Sequence, residues 1–374
     1  MRPIAILSYD YPPNDGGISR LSRTAAQKIE QAGRDVCVLT LSTFDEKHSR
    51  PHVSTTEIPR GRTRRDWCCF SFIRRLPRDA VVVTTVWNPE GTLAWISGRH
   101  DLIILAHGNE VMPYPSGLRF RFKQWLRSRV LAAARRVVCN SRYTEGLVRA
   151  ACPQARTVVI APGVDAERFR PLADGREARK RFGIPVDRRI LLSVSRLDAY
   201  KGHDVILRAL AALTQATRSQ LHYVVAGRGG HMAKLQALAD DLGITDCVTW
   251  LGFVEDDALP ALYACADLFV LCTREDPKAR GVEGFGMVFL EAQAAGVPVL
   301  GTRVGGIADA VVEDRGGWLV DQDDAMAVSG HLQRLATDVS SFREQGLRGR
   351  QRAITEASWE TYTTRLLAVI DQGI

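Results

Sequence analysis

The chain has 374 residues, 45% hydrophobic and 25% charged, which is too long for one ordinary core and too apolar for a disordered chain. No apolar run approaches the ~20 residues of a membrane helix, and the eight cysteines are scattered, with no Cys-x-x-Cys pair and no histidine at metal spacing, so they read as buried free thiols. Fifty Lys and Arg against 42 Asp and Glu give a net charge of +8, which favours anionic partners such as nucleotide phosphates, acidic lipid headgroups or nucleic acid.

The opening "MRPIAILSYDYPP" has no small-residue cleavage site after a full apolar region. It reads as a first buried strand rather than an export signal, and a cytoplasmic location is expected. A loop rich in Pro and Gly follows, then a helix with Ile18, Leu21, Ala25, Ile29 and Ala32 on one face, stopped by Gly33 before the strand "DVCVLT". The runs "AVVVTTV", "DLIILAHG" and "RRVVCNS" continue this alternation, the signature of a parallel sheet covered by helices. Turn residues and charges interrupt it across "VVIAPGVDAERFRPLADGREARKRFGIP". It then restarts with "RRILLSV", "LHYVVAG", "CVTWLGFV", "DLFVLCT" and "VPVLGT". Two α/β domains, each a doubly wound parallel sheet, are therefore expected. Their ligands belong at the carboxyl ends of the strands, and the cleft between the domains is the natural site.

The stretch "EGFGMVFLEA" sits at one such strand end. Gly284 and Gly286 place the helix start at about Met287, with Glu283 on the loop and Glu291 about one turn into the helix. A helix start offers unpaired N–H groups and partial positive charge to a phosphate or diphosphate, which the glycines let approach the backbone. One carboxylate then stands on each side of that diphosphate, able to accept hydrogen bonds from two different sugars, as a nucleotide sugar requires. Taken singly, each glutamate is explained as well by a capped surface helix. The pair with glycines between shifts the balance toward a bound ligand.

The loop "SVSRLDAYKGHDV" offers Arg196 and Lys201 at another strand end, where two cations suit a diphosphate. The "DQDD" at 321–324 contains an Asp-x-Asp spacing that could hold a metal, yet it precedes a helical pattern and reads as a helix cap. "AGRGGHM" supplies Gly227, Gly229 and Gly230 but has Met232 where a dinucleotide-binding fingerprint needs its last glycine, which counts against a nicotinamide-dependent oxidoreductase.

Together, "PPNDGGISR", "HGNE", "APGVDAERFRP", "SRLDAYKG", "VTWLGFV", "EGFGMVFLEAQAAGVPVLGTRVGGIADAV" and "SWETYTTRLLAVI" resemble family 4 of the retaining glycosyltransferases over almost the whole chain. The stretch 283–306, with two glutamates and seven residues between them, is the specific part. The resemblance implies the GT-B architecture: two Rossmann-like domains facing each other across a cleft, an acceptor-binding domain over 1–170, a nucleotide-sugar domain over 171–355, and a helix over 356–374 that crosses back to the first domain through Trp359, Leu366, Leu367 and Ile370. It implies catalytic roles for His107, Glu283, Arg196 and Lys201. Donor binding falls to Gly16, Gly17, Arg196, Lys201, Phe253, Val254, Glu283, Gly284, Phe285, Gly286, Met287, Val288 and Glu291. Glu291 takes the ribose, the backbone near Phe253 and Val254 meets the base, and no metal or other cofactor is required. Gly163, where Asn is common, and Asp309, where Glu is commoner, depart from the family pattern and imply altered local packing only. The charged loop "TREDPKARGV" resembles the subset that includes mannosyltransferases acting on lipid acceptors.

The resemblance thus implies a retaining hexosyltransferase, using GDP-mannose first and UDP-linked sugars next, acting on a lipid-linked or saccharide acceptor in polysaccharide or glycolipid biosynthesis. An epimerase or hydrolase of the same fold, or a sugar-nucleotide-binding protein without catalysis, stays open because fold does not fix reaction. Nucleic acid is not expected as a partner. The segment "GLRFRFKQWLRSRVLAAARRVV" interleaves Arg119, Arg121, Lys123, Arg127 and Arg129 with Phe120, Phe122, Trp125 and Leu126, and a second basic cluster runs from Arg60 to Arg65. Both suit an anionic membrane surface on the inner face, or a helix with a solvated basic side.

Overall fold

The apolar runs form two parallel sheets, of seven and six strands, among the residues the structure describes. The computed structural model describes residues 1–12, 16–41, 53–115, 117–172, 175–276 and 281–372. Residues 13–15 of the first glycine loop, 173–174 of the interrupting stretch and 277–280 of "TREDPKARGV" lie outside the described residues.

The first sheet contains β1 (Ile4–Leu7), β2 (Val36–Leu41), β3 (Ser54–Ile58), β4 (Val81–Thr84), β5 (Leu102–Ala106), β6 (Arg136–Cys139) and β7 (Thr157–Val159), in the order 3-2-1-4-5-6-7. The second contains β8 (Arg189–Val194), β9 (Leu221–Ala226), β10 (Val248–Gly252), β11 (Leu268–Leu271), β12 (Val299–Thr302) and β13 (Gly317–Val320), in the order 10-9-8-11-12-13. Strands β1, β4, β5, β9 and β11 are buried along their whole length, as expected of parallel strands covered on both faces. In each sheet the order reverses once, between β1 and β4 and between β8 and β11. Those are the switch points where doubly wound sheets open a crevice at the carboxyl edge.

The chain divides into two compact units, residues 1–162 with 359–374, and residues 163–358. The first boundary falls at 162/163 instead of 170/171 because residues 164–169 are tied into the second unit. Val164 N–H donates to Ala357 O at 2.8 Å, and the Phe169 ring packs edge-on against Tyr263 at 5.6 Å. The helix Trp359–Asp371 belongs to the first unit and buries Trp359, Tyr362, Leu366 and Ile370. Arg34 grips Asp371 with both contacts at 2.9 Å, and Arg135 donates to the carbonyls of Val369 and Ile370 at 2.9 and 3.1 Å. Leu367 is only partly buried.

The first helix spans Gly17–Gln31 and buries Leu21, Ala25 and Ile29 as the periodicity requires, with Ser19, Ser22 and Ala26 beside them. Ala32, expected on that face, is exposed at the helix end, where Gly33 turns the chain with φ of +77°. The helix Leu118–Ala133 also departs from its pattern. Arg127 is buried and donates to Val111 O and Met112 O at 3.0 and 2.8 Å, so it tethers a loop instead of joining the exposed basic set.

Candidate active site

The loops after β8 and β11 flank the switch point of the second sheet. After β8 the chain runs through Ser195 and a short turn at Ala199–Lys201 into the helix His203–Ala211. That turn is fixed from below by a buried polar chain. His203 Nε2 lies 2.9 Å from Ser195 Oγ, its Nδ1 lies 2.8 Å from the Tyr223 hydroxyl, and that hydroxyl lies 2.8 Å from Ser193 Oγ. Burial, reinforced by the positive charge of Lys201, pushes His203 down to about 3, so the ring is a neutral structural group. Gly202 closes the turn with φ of +73°, and a Cβ there would stand 1.7 Å from the carbonyl oxygen of Cys272, at the end of β11. Only glycine fits where the two loops meet.

Lys201 is buried, and its Nζ lies 2.6 Å from Glu283 Oε2. Burial works against the ammonium charge, but the Glu283 carboxylate outweighs it and the Lys201 pKa is raised. The Glu283 backbone is anchored by the turn after β12. Its carbonyl accepts the Gly306 N–H at 2.8 Å, and a side chain at Gly305, with φ of +58°, would put Cβ 2.4 Å from that carbonyl oxygen.

Three residues past Glu283, Gly286 adopts a left-handed conformation and the helix Met287–Ala294 begins, as the glycines predict. Among the described residues no side chain caps this helix, and no acid stands in its first turn, so its amino end presents amides and partial positive charge. Met287 and Val288 are half-buried, whereas Gly284, Phe285 and Gly286 are buried. Glu291 lies deeper, 8% exposed, and its Oε2 accepts the Tyr263 hydroxyl at 2.6 Å. Arg196, in contrast, stands in solvent with its side chain 73% exposed, 3.2 Å from Asp198 Oδ2 and 3.3 Å from the Tyr200 hydroxyl. At the end of β10, Phe253 is exposed under the Arg228 guanidinium, 5.1 Å from the ring centroid, with Val254 half-buried beside it.

In the first unit, Gly16 and Gly17 stand at the start of a helix that has, among the described residues, neither a side-chain cap nor an acid in its first turn. His107 follows β5. Its N–H donates to Glu110 Oε1 at 2.6 Å and its carbonyl accepts from Asn140 Nδ2 at 3.1 Å. Burial lowers its pKa against the pull of Glu110, and its Nε2 is a buried atom without a hydrogen-bond partner among the described residues. The "DQDD" reading as a helix cap holds: Asp324 Oδ1 accepts the Ala327 N–H at 2.8 Å and starts the helix Ala325–Thr337.

Residues 174–352 match the family described as glycosyl transferases group 1, and residues 15–168 match glycosyltransferase family 4. The chain belongs to family 4 of the glycosyltransferases. It is 29% identical to the GDP-mannose-dependent alpha-(1-6)-phosphatidylinositol monomannoside mannosyltransferase of Mycolicibacterium smegmatis, over 98% of this chain and 97% of that protein. It is 35% identical to the D-inositol 3-phosphate glycosyltransferase of Salinispora arenicola, over 66% of this chain and 56% of that protein. Among solved structures, sucrose-phosphate synthase from Thermosynechococcus elongatus superposes with a TM-score of 0.82 at 23% identity, covering 100% of this chain and 99% of that one. Anabaena HepE in complex with UDP and glucose superposes with a TM-score of 0.82 at 17% identity, covering 100% of both chains. At those identities the likeness shows the fold, which is GT-B.

Within this glycosyltransferase, Lys201 and Glu283 are thus in direct contact, while Glu291 lies in the interior and Arg196 outside. The sequence reading missed Tyr263, His203 and the contact of Gly305 with the Glu283 backbone. The double glycine was visible as a motif, but only its meeting with that carbonyl gives it a purpose.

Proposed function

We propose that this chain is a retaining, metal-independent hexosyltransferase that takes a hexose, mannose first, from a nucleoside diphosphate sugar. The observation that carries the reading is the Lys201–Glu283 pair, at the switch point and just ahead of an uncapped helix start. In the reaction, positive charge grows on the anomeric carbon and negative charge on the departing diphosphate. Lys201 and the amides at Met287 and Val288 meet the diphosphate charge in a fixed arrangement, which is where electrostatic stabilisation contributes most. Arg196, exposed to solvent, turns from Asp198 toward the outer phosphate in this reading. Glu283, with the backbone of Gly284, Phe285 and Gly286, receives sugar hydroxyls. Glu291, oriented by Tyr263, accepts from the ribose, and Phe253, Val254 and Arg228 meet the base. Within the first unit, roles toward the donor are proposed from the family resemblance for Gly16, Gly17 and His107, whose ring burial keeps neutral and suits to a hydrogen bond with a hydroxyl.

Retention follows from a front-face displacement in which the departing phosphate oxygen takes the acceptor proton. The described site supplies no carboxylate placed as a nucleophile for a double displacement.

For the acceptor we propose a phosphate-bearing polyol or its lipid. The mycobacterial and Salinispora relatives act, by their names, on a phosphatidylinositol mannoside and on an inositol phosphate. The first unit has a cavity of about 420 Å³ lined by Arg62, Arg65, Asn88 and Thr92, after the carboxyl ends of β3 and β4, together with Asp66, which pairs with Arg65 at 2.8 Å and leaves Arg62 and Asn88 as donors for such a group. Among the described residues no helix is long and apolar enough to cross a membrane. Leu118, Phe122 and Trp125 are nonetheless exposed on a helix that also shows Arg119, Arg121 and Arg129, and Trp67 is exposed on the helix Arg62–Arg75. This supports docking to an anionic membrane surface.

The test is release of nucleotide from GDP-mannose and UDP-glucose with phosphatidylinositol vesicles or inositol phosphate as acceptor, with the anomeric configuration of the product read by NMR. Transfer from a nucleotide sugar with retained configuration is expected; an inverted product, or no binding of either donor, overturns the reading. Salt-sensitive sedimentation with anionic vesicles tests the membrane contact separately.

A further inference from the structure

Arg274 lies just past β11, at the base of the loop that returns to Glu283. Asp276 and Gly281 exchange two backbone hydrogen bonds, at 3.0 and 3.1 Å, and so close that loop. From this base the Arg274 side chain reaches away from its own segment. Nη1 donates to Ala199 O at 3.0 Å, Nη2 to Asp204 Oδ2 at 3.0 Å, and Nε to Asp323 Oδ1 at 2.8 Å. Its backbone N–H adds a bond to Tyr200 O at 2.7 Å. One planar guanidinium therefore joins the strand-end loops after β8, β11 and β13, using its donors in three directions as no other side chain can.

The partners fit that purpose. Ala199 and Tyr200 belong to the turn that carries Lys201, and Asp204 opens the helix behind it. Asp323 is held at φ of +62°, a backbone state that a residue with a side chain seldom adopts, and that conformation goes with a carboxylate placed on Arg274. Gly281 completes the joint, since a Cβ there would come within 2.7 Å of the Tyr200 ring. With two carboxylates and a carbonyl already on it, the guanidinium is spoken for and is a poor candidate to hold phosphate itself.

We propose that Arg274 is a positioning residue for the donor diphosphate, fixing the Lys201 turn against the loop that leads to Glu283. The proposal rests on the nucleotide-sugar reading of the site. Its effect passes through Lys201, so it is read in two ways. Hydrogen exchange at the amides of residues 199–204 is compared between wild type and R274K, and the affinities for GDP and UDP are measured by calorimetry on the same proteins. R274K retains the charge but not the three-way fork. Faster exchange in that turn is expected, with affinity for the bound nucleotide weakened about tenfold and little change in melting temperature. D323G, which removes the carboxylate and relieves the backbone, shows the same exchange change in smaller degree. Exchange unchanged in both variants overturns the proposal whatever the donor is. A wild-type protein that binds neither nucleotide overturns the donor reading instead, while leaving the exchange comparison intact.

Discussion

Lys201 Nζ and Glu283 Oε2 meet at 2.6 Å although 82 positions separate them in the chain. With side chains 11% and 19% exposed, the two charges are largely out of water and depend on each other. Replacing Lys201 with Ala leaves a mostly buried carboxylate alone, which lowers stability by about 3 kcal/mol. It also removes the cation proposed to meet the leaving-group charge, so on that proposal kcat falls by about 100-fold or more. Glu283→Gln acts differently. Burial then opposes the Lys201 charge without compensation and its pKa falls, so transfer that is flat across neutral and mildly alkaline pH in the wild type declines in the variant as pH rises. A pH–rate profile with both variants checks this; the same flat profile in Glu283→Gln would refute the coupling.

If the ammonium and the helix amides carry the leaving-group charge, no cation has to assist. Transfer measured after treatment with excess EDTA and desalting is expected to match the untreated rate. Complete loss, restored by a divalent metal, would contradict the metal-independent reading.

The Tyr263 hydroxyl donates to Glu291 Oε2 at 2.6 Å in the interior. Tyr263→Phe keeps the ring packed against Phe169 and Phe269 but leaves a buried carboxylate oxygen without that donor, at a cost of about 1–3 kcal/mol in stability. On the proposal that Glu291 holds the ribose, the variant loses affinity for ribonucleotide donors and loses little for their 2′,3′-dideoxy analogues. Equal losses for both would remove Glu291 from that role.

Much of this architecture was legible beforehand, for identifiable reasons. Strands buried on both faces are largely apolar, so β1, β4, β5, β9 and β11 stand out as short runs. By contrast β3, "STTEI", lies at the sheet edge with only Ile58 fully buried, and its polar composition hides it. The helix start at Met287 was readable because two glycines rule out an earlier one. What no local pattern encodes is which distant groups meet: Lys201 with Glu283, Glu291 with Tyr263, Gly305 with the Glu283 carbonyl. Arg127 shows the converse. Its neighbours made it look like surface charge, and two carbonyls on another segment account for its burial.

Gly202 tests the join of the two loops directly. In Gly202→Ala the methyl group would overlap the Cys272 carbonyl, from a backbone conformation that alanine disfavours. Separation of the loops is expected, with stability reduced by about 3 kcal/mol and donor affinity lost in parallel. Thermal unfolding with and without GDP measures both effects, and a variant that melts and binds like wild type would mean the loops can part without consequence.

Glu90 offers a pH test in the first unit. It is 2% exposed, its Oε1 accepts the Tyr9 N–H at 3.0 Å, and its Oε2 has no hydrogen-bond partner among the described residues. Burial raises its pKa to about 7 from an ordinary 4.5, against the lowering effect of the Tyr9 N–H and Arg65 and with a small further rise from Asp10. The sign follows from linkage. Below about pH 4.5 the group is protonated in both folded and unfolded chains and contributes no penalty. As pH climbs from about 4.5 to about 7 the unfolded chain releases the proton while the folded one resists, so stability falls by about 3 kcal/mol and levels off above 7. Glu90→Gln retains the acceptor for Tyr9 and has no proton to lose. Denaturant titrations of the two proteins should therefore agree near pH 4 and diverge above pH 5, with the variant the more stable at pH 8. Parallel curves across that range would show that the Glu90 carboxylate is solvated after all.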